Sequence, residues 1–150
     1  EQTEANYDHV FNINVRGVLL SMKYQIRAML ASGGGSVINN ASVGGSIGFP
    51  GFGVYVASKH AVLGLTRSAA LEYAKQGVRV NAVSPGGIET EMYDRFATTS
   101  EAKSFMESIH PMSRVGKADE IAKAVVWLAS GDSSFVTGHD LKVDGGLTAQ

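Results

Sequence analysis

Three short runs rich in β-branched residues, Ser36-Val37-Ile38-Asn39-Asn40, Val78-Arg79-Val80-Asn81-Ala82-Val83 and Leu141-Lys142-Val143, are separated by stretches far too long for hairpins. The intervening segments carry helical periodicity. From Glu4 to Leu30 the apolar residues Phe11, Val15, Val18, Met22, Ile26 and Met29 recur at steps of three and four, which draws one stripe along a long helix. A second helix spans about Val54 to Lys75 and stops at Gln76-Gly77, glycine being common just past a helix C-terminus. A third spans Lys117 to Ala129, with Ile121, Val125 and Leu128 on one face. Strands joined by crossovers of this length run parallel, through right-handed connections. The class is α/β, and the β-branched centre of the first strand is expected to be buried on both faces.

Three strands make a small sheet, and an all-parallel sheet needs helices on both faces and partners at its edges. The sheet reads as incomplete. Glu1 and Gln2 open the chain where a translated chain carries Met, so residues 1–150 are expected to form a single partial domain. A chain of 150 residues is still long enough for a core, since at this size folding removes roughly 68 to 70% of the extended surface from water. Gly17 interrupts the first helical stripe and is expected to let another backbone come close.

Composition narrows the function classes. Lys plus Arg is 13 and Asp plus Glu is 14, a net charge of −1, so no basic excess is available to hold a polyanion and a nucleic-acid partner is not expected. Cys is 0, which removes disulfides, thiolate nucleophiles and cysteine-ligated metals. There is no apolar run of membrane-spanning length and no charged-then-apolar leader, so no membrane association is expected and the cytoplasm is the default location. His9, His60, His110 and His139 show no metal-ligand spacing and read as surface or packing residues, with no metal site.

The 18 glycines cluster in loops. Between Ala41 and Gly53, Gly44, Gly45, Gly48, Gly51 and Gly53 surround Phe49, Pro50 and Phe52, a small-residue loop able to lie against a flat ligand. Glu89 to Ile109 reads as irregular or short helices carrying Met92, Tyr93, Phe96, Phe105 and Met106, either ordinary core or a mobile lid.

Tyr55 and Lys59 are four apart and share one helix face. An ammonium one turn from a phenol favours the phenolate and makes a general acid/base for a C–OH or C=O group, although the same spacing also suits a solvated helix face. Ser42 follows the first strand, at the strand end where open α/β sheets bind ligands.

With these residues in place, the chain resembles the short-chain dehydrogenase/reductase family. The matches are Asn14 in Asn14-Val15-Arg16-Gly17, Ser42 with its glycine-containing loop, Tyr55 and Lys59, Asn81-Ala82-Val83-Ser84-Pro85-Gly86 with Thr90, and the terminal Val136-Thr137-Gly138 and Val143-Asp144-Gly145-Gly146. The resemblance implies a Rossmann-like, doubly wound parallel-sheet domain of which this chain is the catalytic, C-terminal half. It implies an NAD(P)-dependent oxidoreductase acting on a secondary alcohol or ketone. Tyr55 would be the acid/base, Lys59 would favour its phenolate and bind the nicotinamide ribose, Ser42 would hold the substrate oxygen, and Asn14 would organise the site and a water-linked proton path. Pro85, Gly86, Ile88 and Thr90 would lie along the nicotinamide, beside Tyr55 and Lys59 in the cofactor site. Singly, Asn14 could instead bond helix backbone and Ser42 could cap a turn.

The departures matter as well. Neither G-x-G-x-x-G nor the family's Gly-x-x-x-Gly-x-Gly spacing occurs, so the adenosine-binding half is expected to be missing, the choice between NAD and NADP stays open, and this piece alone is expected to be inactive. Three further readings compete. A non-catalytic scaffold could keep the fold, but it needs none of the Ser42, Tyr55 and Lys59 functional groups. Gly44-Gly45-Ser46-Ile47-Gly48 fits the hydrolase G-x-S-x-G pattern, with Asp132 and His139 following in chain order. Asn40-Ala41-Ser42 is a glycosylation sequon, at what is expected to be a buried strand end.

Two expectations concern partners. The apolar residues of the 43–52 loop and the 92–106 segment, with few charges near them, point to an uncharged cyclic or medium-sized carbonyl or alcohol. Leu19, Leu20, Val62 and Leu63 are expected to lie off the sheet-facing stripes, and Ala57, Ala61 and Gly64 offer a small-residue surface. With the family resemblance, these features imply a homodimer or homotetramer built on the first two helices.

Overall fold

The computed structural model describes residues 3–150; Glu1 and Gln2, with the expectation attached to them, lie outside the described residues. Thr3 caps α1 (Glu4–Phe11), its hydroxyl accepting from the Asn6 amide at 3.1 Å. The predicted single helix continues through a π-helical turn (Asn12–Arg16) into α2 (Gly17–Ala31). A π turn carries an extra residue per loop of hydrogen bonds and re-aims the side chains around it. Gly17 meets only the Asn12 carbonyl oxygen, at 3.6 Å from where a Cβ would stand, so the close approach expected there is not what this glycine serves.

Gly33 and Gly34, both with positive φ, turn the chain into β1 (Gly35–Asn40). A Cβ on Gly34 would stand 2.5 Å from the Gly77 carbonyl oxygen, so this turn admits no side chain. After the 3₁₀ turn Val43–Gly45, α3 (Gly53–Tyr73) and a short 3₁₀ extension lead through Gly77, at φ +78°, into β2 (Val78–Pro85). α6 (Ala118–Ala129) precedes the last strand, β5 (Asp140–Val143), and the three strands pair in parallel in the order β1-β2-β5. Val37 stands opposite Val80, and Ser84 opposite Lys142.

Alternation along β2 separates the two faces. Val78, Val80 and Ala82 pack under α2 and α3 with Met22, Ile26, Val37, Val62, Leu63, Ala69 and Ala70. Each of the larger buried side chains contributes roughly 1.5–3 kcal/mol. Arg79 and Asn81 point the other way and donate to carbonyl oxygens of the 130–136 segment, which fixes the chain between α6 and β5.

Two burial expectations change. Val37 is buried but Ile38 only half-buried, so β1 is fully covered on one face. Val62 and Leu63, expected off the sheet, are 0% and 2% exposed and belong to the core; the outward large apolar residues of the first two helical segments are Tyr7, Ile13, Leu19, Leu20, Tyr24, Leu30 and Leu71. Ala57 and Gly64 do face outward, as expected.

The 88–117 region holds a second, two-stranded parallel pairing of β3 (Ile88–Glu89) with β4 (Gly116–Lys117), which sequence periodicity did not reveal. Two-residue strands carry no readable alternation. Between them run α4 (Glu91–Phe96) and α5 (Ser100–Ser108), capped by the Thr90 and Thr99 hydroxyls. Met92, Phe96 and Phe105 are largely exposed, so this segment is not ordinary core.

Candidate active site

Ser42 leaves the C-terminal end of β1 and caps the Val43–Gly45 turn, its Oγ accepting from the Gly44 amide at 3.1 Å. Because α3 begins at Gly53, Tyr55 and Lys59 lie in its first two turns, at the same edge of the sheet. Lys59 Nζ donates to the Asn40 carbonyl oxygen at 3.0 Å and stands 5.6 Å from the centroid of the Tyr55 ring. Burial holds the Lys59 ammonium below the usual lysine pKa range.

Gly44 joins serine and tyrosine. A Cβ there would lie 3.3 Å from Tyr55 Cε1 and 3.5 Å from Ser42 Oγ, so the two groups flank one small residue. Behind it, a Cβ on Gly45 would meet Leu63 at 2.9 Å and the Lys59 carbonyl oxygen at 3.0 Å. The paired glycines let the turn lie directly on α3.

The π turn presents Asn14 toward the same helix. Asn14 Nδ2 donates to Ser58 Oγ at 3.0 Å, and the Ser58 hydroxyl donates to the Tyr55 carbonyl oxygen at 2.7 Å. Ser58 is fully buried and was not singled out from the sequence. A serine inside the Tyr55–Lys59 spacing carries no signal until a partner on another helix is known.

Pro85 and Gly86 sit at the end of β2, where the Gly86 amide donates to the Val143 carbonyl oxygen at 3.1 Å. A Cβ on Gly86 would be 2.8 Å from His110 Nε2 and 3.0 Å from Asp144 Cα. His110 is a buried packing residue. Its Nε2 accepts from the Gly87 amide at 3.0 Å, which leaves Nδ1 as the donor to the Met106 carbonyl oxygen at 2.7 Å. Thr90 donates to the Ile88 carbonyl oxygen at 3.2 Å while capping α4. Among the described residues no hydrogen bond joins Pro85, Gly86, Ile88 or Thr90 to Ser42, Tyr55 or Lys59; the two sets share the C-terminal edge of the sheet. An edge-on contact of Phe52 with Phe96, ring centroids 5.8 Å apart, links the serine loop to α4.

The competing readings fare differently. Ser46 bonds to Asp140 and Lys142, whereas His139 meets Asn81 through its backbone amide and Asp132 lies in a separate 3₁₀ turn, so no hydrolase triad assembles. Asn40 is exposed, against the expectation of a buried sequon, and its carbonyl is held by Lys59. Among the described residues no group of three or more His, Asp or Glu could hold a metal ion, and no helix is long and apolar enough to cross a membrane.

A family model described as enoyl-(acyl carrier protein) reductase matches residues 1–148. The 2,5-dichloro-2,5-cyclohexadiene-1,4-diol dehydrogenase of Sphingobium indicum is 51% identical over 141 residues, 92% of this chain and 56% of that protein. The cyclohexanol dehydrogenase of an Acinetobacter species is 45% identical over 150 residues, 100% of this chain and 58% of that protein. Among solved structures, a gluconate 5-dehydrogenase from Burkholderia cenocepacia in complex with NADP and tartrate superposes with a TM-score of 0.96 at 32% identity, covering 99% of this chain and 58% of that one. The chain thus spans somewhat more than half the length of these relatives.

Proposed function

Because this chain belongs to the short-chain dehydrogenase/reductase family, we propose that the whole protein is an NAD(P)-dependent oxidoreductase transferring hydride between nicotinamide and a secondary alcohol or ketone. The observation that carries the proposal is the cluster in which Gly44 separates Ser42 from Tyr55, with Lys59 and Asn14 behind the tyrosine.

The donor set suits the nicotinamide ribose end of a dinucleotide. An ammonium has three donors, the Asn40 carbonyl oxygen takes one from Lys59, and the others remain for ribose hydroxyls. Pro85, Gly86, Ile88 and Thr90 would flank the ring. When bound, such a cofactor supplies hydride acceptance or donation. The rest falls to this chain: Ser42 Oγ orients the substrate oxygen, and in oxidation the substrate hydroxyl proton passes to the Tyr55 phenolate. In reduction the Tyr55 hydroxyl returns it to the developing alkoxide. Lys59 stabilises the phenolate by its charge, and Asn14 orders the helix face behind it.

An uncharged cyclic alcohol or ketone is the proposed substrate class, supported by the exposed Phe52 and Phe96, in edge contact where the serine loop meets α4, and by the ring alcohols named for two relatives. A homodimer or homotetramer on α2 and α3 is proposed from their outward Leu20 and Leu71. The 150-residue chain alone is proposed to bind dinucleotide weakly and to be inactive, since its sequence has no glycine-rich turn for a pyrophosphate. A non-catalytic scaffold would not require this group of side chains.

The test is Tyr55→Phe in the full-length protein. Turnover is expected to fall about 10²- to 10⁴-fold with dinucleotide binding retained by calorimetry. Wild-type turnover in the variant would overturn the assignment.

A further inference from the structure

Ser46 stands at the far end of the turn that begins with Ser42, and the catalytic group does not use it. Its hydroxyl donates to Asp140 Oδ2 at 3.2 Å and accepts from Lys142 Nζ at 2.8 Å. Lys142 Nζ also donates to the same Asp140 oxygen at 2.7 Å, closing a three-membered ring of hydrogen bonds. The other carboxylate oxygen, Oδ1, accepts from the hydroxyl of the fully buried Ser84. One carboxylate therefore joins the turn after β1, the end of β2 and the last strand β5, although β1 and β5 are not neighbours in the sheet.

The two outer arms both lead to the site. The turn is closed on itself: the Gly45 amide donates to the Ser42 carbonyl oxygen at 2.8 Å, and the Ser46 and Ile47 amides to the Val43 carbonyl oxygen at 2.9 and 3.0 Å. A unit this short and internally bonded moves as one piece, so the position of Ser46 sets that of Ser42. On the second arm, Ser84 immediately precedes Pro85 and Gly86. The platform is firm, since β5 is held through Gly86 to Val143 and through His139 to Asn81.

We propose that Asp140 is a positioning residue that sets the distance between the Ser42 turn and the Pro85-Gly86 strand end, acting through Ser46 and Ser84, with Lys142 balancing its charge. The proposal rests on the dehydrogenase reading for its effect on rate, and on the structure alone for its effect on the turn. A carboxylate is suited to the role because it accepts from both hydroxyls and the ammonium at once. The neutral amide of Asn keeps one acceptor oxygen, replaces the other with an NH2 that would force one partner to reverse its hydrogen bond, and leaves the Lys142 charge unbalanced.

The experiment compares Ser46→Ala, Ser46→Thr, Asp140→Asn and the Ser46→Ala/Asp140→Asn double variant of the full-length protein, by steady-state kinetics and by hydrogen exchange of the 41–50 segment. A displaced catalytic serine lowers turnover far more than binding, so kcat is expected to fall about 10- to 100-fold in Ser46→Ala and Asp140→Asn. The KM for dinucleotide should stay within about twofold in Ser46→Ala, which leaves the Ser84 arm in place, and Ser46→Thr should restore kcat by keeping the hydroxyl. The double variant should be no slower than Asp140→Asn alone, as expected for two groups on one path. The Gly44 and Gly45 amides should exchange about tenfold faster in Ser46→Ala, while the β1 amides stay protected. Unchanged kcat, or unchanged exchange in the turn, would overturn the proposal. If Asp140→Asn fails to fold, the exposed Ser46 pair decides alone. A wild type without dehydrogenase turnover would defeat the functional reading, and the exchange result would still decide the tether.

Discussion

Asn14 and Ser58, on different helices, are joined by a 3.0 Å hydrogen bond from the asparagine amide to the serine hydroxyl, which in turn donates to the backbone of Tyr55. The position of the proposed acid/base is thus coupled to the π turn in the first helix. Ser58→Ala would leave the Asn14 amide without its partner beside a fully buried site. A destabilisation of about 1–3 kcal/mol is expected, measured by urea unfolding, with a loss of turnover that Ser58→Thr partly restores.

Gly44→Val places branched carbons where even a Cβ stands 3.3 Å from the Tyr55 ring. The ring must move away from Ser42. Turnover should drop about 10- to 100-fold, and overpacking of this buried turn should lower unfolding stability by roughly 1–3 kcal/mol. Equal kcat in Gly44→Val and wild type would show that the Tyr55 ring has room to spare.

Glu120 accepts from Arg114 at 2.7 and 2.9 Å and from the Lys117 amide at 2.8 Å, at the start of α6. The guanidinium, then the backbone amide, hold its carboxyl down from the ordinary 4.5 to about 2. A carboxylate that keeps its charge to lower pH when folded contributes fully above pH 4.5 and loses the contribution as pH falls toward 2. Melting temperatures of wild type and Glu120→Gln should therefore differ at pH 6 and converge only as the pH falls to about 2. Because the pair is exposed, the difference should be small and should shrink in high salt.

Leu20→Glu and Leu71→Glu put charges on the outward faces of α2 and α3, where the native side chains are 41% and 85% exposed. Light scattering across a dilution series is expected to show a wild-type dimer or tetramer and a smaller species for each variant. A monomeric wild type would remove these faces from the assembly.

Local patterns in the sequence carried the three strands and the Tyr55–Lys59 pair, because period and spacing follow from the geometry of a single element. Val37 and Val80 meet across the sheet as their β-branched runs suggest. What was hidden depends on contacts between elements. Val62 and Leu63 looked free because α3 is apolar over more than one stripe, and only the sheet position shows which stripe is covered. Ser58 became visible through Asn14, and Asp140 through the register that brings β5 beside Ser84. A π turn has no residue signature, and strands of two residues have no period at all.

The π turn has a further consequence for the helix as a screw. One surplus residue between Asn12 and Arg16 advances the winding by about 100°, so the segments before and after it are out of phase by that angle. Deleting Ile13 would return the stretch to ordinary winding with every backbone bond remade, and circular dichroism would register no loss of helix. Asn14, however, would swing about a quarter turn away from Ser58. The more regular helix would be the one with the broken site.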